Sequence, residues 1–417
     1  MFKKTNIMKT KSFLMLMTLG GALLFSASCN NDNDEPDPPP PNPGPGESTT
    51  ELKVAKFTSA PDMDGTIDAM WADAQKLVGT TSVPNLAARG TYLNSDGEGT
   101  EETLGLFEPY NGEENDFTLR AGYKGDRIYF LMEWVDGADS KDRQSWYFDE
   151  TDHLWKGEHK YANDVNDKFY EDKFAFLFPI GDVAGFSTST CYATCHGPSL
   201  PVVTAKDKHT RHYLNGIDEV VDMWHWKRVR GTYMGQVDDQ QMLYDDPNEG
   251  SGANGRTGDE GGSGYANNSQ TLFNGSVDVS VPLYVVPNGT DYYWISVDDF
   301  GGSAKLVESV DEMGVLTLVG GATIDPNGDT GYAQGSGDKR IPSVTTHAFT
   351  GGRADIDITA VYTGTGWICE FTRLLDTGDG DDVVFDITAE LDFGLAIFDN
   401  AAIAHGIKPG LKMNFVQ

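Results

Sequence analysis

Phe117-Thr118-Leu119-Arg120-Ala121-Gly122-Tyr123, then Lys124-Gly125-Asp126-Arg127, then Ile128-Tyr129-Phe130-Leu131-Met132-Glu133-Trp134 decides the fold class. Two runs rich in aromatic and apolar residues flank a Gly-Asp pair, which is the signature of a β-hairpin. Working outward, Lys173–Ile180 is a continuous apolar run, the pattern of a strand buried on both faces. Residues 291–297, 353–362, 367–373 and 393–398 extend the set, separated by turn residues in a chain with 48 glycines. Helical periodicity is scarce, and only residues 68–77 predict a short helix. The pattern predicts a mostly β protein, an antiparallel β-sandwich with long loop insertions and few short helices. Residues 84–112, 247–264 and 303–340 read as the insertions. Loops of that length in a compact domain are functional or mobile.

The N-terminus reads as an export signal. Lys3, Lys4, Lys9 and Lys11 precede an apolar stretch at 13–25, too short to span a bilayer comfortably. Ser26-Ala27-Ser28-Cys29 follows, a loose bacterial lipoprotein box, which makes residues 1–28 a lipoprotein signal peptide and Cys29 the expected lipidation site. Residues 29–50 form an acidic and proline-rich tether, solvated and semi-rigid. Residues 51–417 are left for the sandwich. The expected location is the outer membrane, the lipid being the one membrane contact and the domain facing the periplasm or the cell surface.

The chain carries 64 acidic against 31 basic residues, a net charge of −33. Phosphate binding needs clustered Lys and Arg, so nucleic acid is excluded as a natural partner. A strongly acidic surface suits a partner with a basic docking face. No nucleophile elbow, Walker loop or dinucleotide fingerprint is present, so no motif of this kind predicts catalysis.

Four cysteines are present. Cys369 alternates along the run 366–371 as a buried strand thiol. Cys191 and Cys195 belong to Cys191-Tyr192-Ala193-Thr194-Cys195-His196. Two thiols followed by an imidazole are the residue types that attach haem covalently, the thiols adding to the porphyrin vinyl groups and the histidine ligating iron. The common spacing is C-x-x-C-H, and this one holds one residue more. A disulfide, half of a zinc site, or free thiols are the other readings of the same pair.

Several segments, in this order, resemble the haem-binding domain of the ethylbenzene dehydrogenase and dimethyl sulfide dehydrogenase gamma-subunit family. They are Met63-Asp64-Gly65-Thr66-Ile67-Asp68-Ala69-Met70-Trp71, the hairpin ending in Trp134-Val135-Asp136, the run from Tyr170 to Pro179, Val221-Asp222-Met223-Trp224-His225-Trp226-Lys227, and residues 367–373 followed by 393–400. The resemblance covers roughly 52–413 outside the insertions, and it implies a β-sandwich holding one haem and passing electrons. Some members of that family hold haem b on Met and Lys; this chain is similar to those that carry a Cys-His motif. The expected cofactor is therefore haem c on Cys191 and Cys195, with His196 as proximal axial ligand. His225 is the first choice of distal ligand, Met223 the second, and His405, at the place of the family's C-terminal Lys ligand, the third. Trp224, Trp226 and Lys227 are expected around the haem. On a strand, His225 faces with Met223 and Lys227 and away from the two tryptophans. A second histidine generally gives a lower potential than a methionine, because thioether sulfur favours ferrous iron.

Two other functions stay open: a carbohydrate- or ligand-binding sandwich without haem, and the haem subunit of a molybdenum oxidoreductase complex. Ca²⁺ is a further candidate at 376–382 and 325–329, although neither follows EF-hand spacing and solvated turns explain both.

Overall fold

The computed structural model describes residues 46–83, 110–159, 168–190, 214, 216–244, 255–290, 292–402 and 404–417. Twelve strands build the principal sheet: β1 (Glu51–Lys56), β2 (Lys76–Ser82), β3 (Glu114–Lys124), β4 (Arg127–Val135), β5 (Lys173–Ile180), β6 (Val220–Lys227), β7 (Asp238–Leu243), β8 (Arg256–Gly258), β9 (Asp357–Tyr362), β10 (Gly366–Leu374), β11 (Leu391–Phe398) and β12 (Gly406–Phe415). A two-residue strand at Glu47–Ser48 pairs with β2. Hydrogen bonding runs in the order β8-β7-β6-β5-β11-β12-β1-β3-β4-β10-β9, with β2 on β3 and touching β12. The pairing is antiparallel except at β1, which runs parallel to both β12 and β3, and at Glu47–Ser48, which runs parallel to β2.

The expected hairpin is β3–β4. Its two-residue turn places Gly125 at φ +62°, the left-handed value that the first position of a tight hairpin turn asks of glycine. Gly122 answers a different need. A Cβ there would stand 2.1 Å from the Phe57 ring, so glycine alone lets that ring cross β3.

The sheet folds back on itself, and alternate residues of its two halves fill the space between. Phe174, Phe176 and Phe178 of β5 and Trp224 and Trp226 of β6 meet Phe130 and Trp134 of β4 and Trp367 and Phe371 of β10. Ring centroids lie 5.7 Å apart for Phe130–Trp224, 5.9 Å for Trp134–Trp226 and 5.2 Å for Phe174–Phe371. Each such ring contributes roughly 1.5–3 kcal/mol on burial, with about 1 kcal/mol more per well-oriented pair. Cys369 sits in this core as a free, fully buried thiol.

Some expected elements differ. Residues 68–77 form no α-helix: Ala69–Asp73 is a 3-10 turn that buries only Trp71, and β2 begins at Lys76. Val78, Thr80 and Thr81 are β-branched and fit the pleat better than a helix. Among the described residues of 291–297 only Ile295–Ser296 pairs as strand, and at 353–362 a 3-10 turn, Gly351–Ala354, precedes β9. The stretch 303–340 is structured. Strands Tyr284–Val285, Lys305–Val310, Leu316–Leu318 and Thr323–Ile324 make a four-stranded sheet. With the hairpin Trp146–Asp149 and Leu154–Gly157 it encloses a separate core of Phe148, Trp155, Val307, Leu316, Leu318 and Ile341.

Candidate functional site

The face of β5, β6 and β11 that turns away from the sandwich core carries a second apolar cluster. Register builds it. Ala175 stands opposite His225 and Leu177 opposite Met223 across β5–β6, while Ala396 and Gly394 stand opposite Ala175 and Leu177 across β5–β11. Because side chains alternate, Met223, His225 and Lys227 share this face and Trp224 and Trp226 take the other. The surface beside the imidazole is made of small side chains, chiefly Ala175 and Ala396, with Phe398 at its end.

His225 is 3% exposed, and neither ring nitrogen has a hydrogen-bond partner among the described residues. Burial first, then the cations of Lys227, Lys173, Arg256 and Arg230, hold its pKa well below the usual histidine value. The ring is therefore neutral and keeps a lone pair, the state in which imidazole ligates a metal. Phe398 packs against it at 5.6 Å between centroids, and His405 packs against the same phenyl ring at 4.3 Å. Met223 lies two residues along from His225 in the same buried cluster. The three sequence candidates for a distal ligand thus converge on one face.

Cys29, Cys191, Cys195 and His196 lie outside the described residues. The chain leading to the Cys motif is described up to Thr190, and its position is informative. A four-residue helix, Phe186–Ser189, ends at Thr190, which is 1% exposed. The Thr190 Cβ stands 3.0 Å from the point a Cβ on Gly394 would occupy. Gly394 is two strands from Met223, about 10 Å at ordinary strand spacing. Cys191 is therefore one residue beyond an anchor on the same face as His225.

The expectation that Trp224 and Trp226 flank this site is corrected by the alternation: both are fully buried in the sandwich core behind it. Lys227 does face outward but is held in a buried ion pair with Asp238, its Nζ 5.6 Å from the Tyr265 ring centroid. Lys173, which sequence reasoning passed over as part of an apolar run, is 2% exposed. Its Nζ donates to the Ala402 carbonyl at 3.0 Å and lies 4.0 Å from the Phe398 ring centroid. Burial and neighbouring Arg230 push its pKa well below the usual lysine value. A buried lysine directly opposite Lys227 was readable from the run only once the pairing was known.

Carboxylates gather elsewhere. Arg373, fully buried, pairs with Asp222 at 2.9 Å and Asp382 at 3.3 Å, with Asp239 at 3.9 Å. Asp136, Asp172 and Asp399 converge near the end of β11; burial and Asp399 push Asp136 up to about 7. Asp325 caps Asn327 and Asp329 pairs with Lys339, so 325–329 is a set of turns. Asp379 and Asp382, by contrast, come together with Asp355.

These features define a class: a β-sandwich whose outer face gathers buried histidine and methionine beside the exit of a Cys-His segment. The chain belongs to the ethylbenzene dehydrogenase family, whose model matches residues 68–409. Among solved structures, a carbohydrate binding module family 9 from Caldicellulosiruptor kristjanssonii in complex with glucose matches at 8% identity and TM-score 0.27, covering 88% of this chain and 95% of that one. The same module in complex with cellotriose matches at 8% identity and TM-score 0.26, covering 88% and 93%. No curated protein matches the chain.

Proposed function

We propose that this protein transfers electrons through one haem attached at Cys191 and Cys195, with His196 and His225 as axial ligands. The observation that supports the reading is His225: a neutral imidazole, buried, with neither ring nitrogen partnered among the described residues, on the face where Thr190, the residue before the Cys motif, packs. A buried polar atom without a partner costs about 1–3 kcal/mol, and a histidine that ligates iron through one nitrogen has a use for that cost. Bound haem supplies a one-electron iron couple.

The chain's own residues would hold and tune that group. Phe398, which stacks with both His225 and His405, restricts imidazole rotation. Ala175 and Ala396 leave the strand surface low beside the ring. Lys173 and Arg230 put positive potential at this face, which suits the anionic side groups of a haem. Met223 and His405 are the alternative distal ligands. The protein would act as a carrier and not as a catalyst. Lipid on Cys29 would tether it at the outer membrane, and a redox partner with a basic surface would dock against its acidic exterior.

The test is mass spectrometry of the full chain produced in a host with haem-attachment machinery. The peptide spanning Cys191 and Cys195 should carry one added porphyrin, and the protein should show a low-spin visible spectrum. A colourless protein with unmodified thiols or a Cys191–Cys195 disulfide would overturn the proposal.

A further inference from the structure

Beyond β7, the strand that pairs with the His225 strand, a cavity of about 420 Å³ opens between turns. It is lined by Asp259, Glu260, Gly261, Thr350, Gly351, Gly352, Asp379, Asp381 and Asp382. Five of these carry carboxylates and none is a cation. We propose that this cavity binds a hard divalent cation of calcium size, held by Asp259 and Asp379 with the Glu260 carbonyl, and with Asp381 and Asp382 in the same lining.

The acidic character of the lining does not carry the proposal by itself. Asp259 does: it is 5% exposed, it lines the cavity, and neither carboxylate oxygen has a hydrogen-bond partner among the described residues. A buried carboxylate without a partner is costly, and folded chains meet that cost with a partner, a proton or a metal. Its neighbours offer more negative charge. One Asp379 carboxylate oxygen, the Glu260 carbonyl oxygen and the Asp259 Cβ all lie within 3.7 Å of the position a Cβ on Gly352 would take. Asp382 is already turned by Thr377 and Arg373, and Asp381 by Gln241. Arg353, next in the chain to Gly352, is committed to Asp238 through two hydrogen bonds of 2.6 and 3.1 Å.

The donor set chooses the ion. All candidates are oxygens, carboxylates with a backbone carbonyl, and no His or Cys lines the cavity, so soft metals are disfavoured. The donors come from three separate segments, 259–260, 350–352 and 379–382, two of them glycine-containing turns. Such a set suits the irregular six- to eight-fold shell of Ca²⁺ better than the strict octahedron of Mg²⁺. The backbones are pressed together where they meet: Gly262 N–H donates to the Thr350 carbonyl at 3.1 Å, and Gly261 has no room for a Cβ. A cation here would pin the β8 end and the loop after β10 to the turn before β9.

The experiment is calorimetric titration of the chelator-treated full chain with CaCl2, paired with thermal melts at each concentration. One saturable site and a melting temperature that rises with Ca²⁺ are expected. Asp259→Asn and Asp379→Asn should each weaken binding by about tenfold or more, since each removes one charged ligand of a weak extracellular-type site. Asp325→Asn, in an acidic turn of the other lobe, should leave it within about twofold. Asp379 is exposed, so its variant folds even where Asp259→Asn fails. Absence of heat and of any melting shift up to about 10 mM Ca²⁺, or equal affinity in Asp379→Asn and the wild type, would overturn the proposal. The result is independent of haem attachment.

Discussion

Replacing His225 by leucine should have opposite effects with and without haem. In a haem-free background made by Cys191→Ala and Cys195→Ala, the imidazole is buried with one N–H and one bare nitrogen, neither partnered among the described residues. Each unsatisfied atom costs about 1–3 kcal/mol, so removing both should return roughly 2–6 kcal/mol. The change of shape takes back up to about 1.5 kcal/mol, for a net gain of about 0.5–6 kcal/mol. With an unfolding entropy of about 2 cal/mol/K per residue over this length, that gain raises the melting temperature by about 1–7 °C. In the haem-loaded protein the same substitution removes a ligand: the low-spin spectrum should give way to high-spin, and the melting temperature should fall. Scanning calorimetry and visible spectroscopy on the two preparations read both signs. A haem-free variant that melts several degrees lower would mean that His225 has a structural partner. A loaded variant with an unchanged low-spin spectrum would transfer the ligand role to Met223 or His405.

Two further outcomes follow from buried charge. Burial and Asp399 raise Asp136 to about 7, beside Asp172, which is raised for the same reasons, burial and neighbouring carboxylates. Below about pH 4 both folded and unfolded forms bind the proton and no penalty exists; as pH climbs towards 7 only the unfolded form releases it, and stability falls by up to ~1.4 kcal/mol per pH unit. Asp136→Asn should therefore gain melting temperature over the wild type at pH 8 but not at pH 4, and an offset that does not change with pH would refute the account. Arg373→Leu strands Asp222, Asp239 and Asp382 without their counter-ion and should cost about 3–5 kcal/mol in denaturant melts; a loss under about 1 kcal/mol would mean those carboxyls are protonated in the fold.

The two faces of β6 divide the protein's labour. Trp224 and Trp226 lock the strand into the sandwich, and that rigid backing fixes the rotamer space of Met223, His225 and Lys227 on the other side. A site built on a central strand between two paired neighbours is held more tightly than one on a loop.

Much was legible in the residues alone. The β3–β4 hairpin, the buried β5, the free Cys369 and the family all followed from period-two alternation, a Gly-Asp turn and the order of aromatic segments, which are local properties. The helix expected at 68–77 failed, and the pairing of the short apolar runs within 303–340 went unread, because such runs do not declare their partners, and neighbours decide whether one becomes strand, turn or core. What only tertiary structure decided is which distant residues meet. Strand register, set by long-range pairing, put His225 opposite Ala175, brought Phe398 against it with His405 on the same phenyl ring, and set Thr190 down on Gly394. It also drew Asp259 to Asp379 and Asp382 across more than a hundred residues of chain. Alternation along a strand is written in neighbouring side chains, whereas adjacency between strands is chosen by the whole core, and both candidate sites of this protein are matters of adjacency.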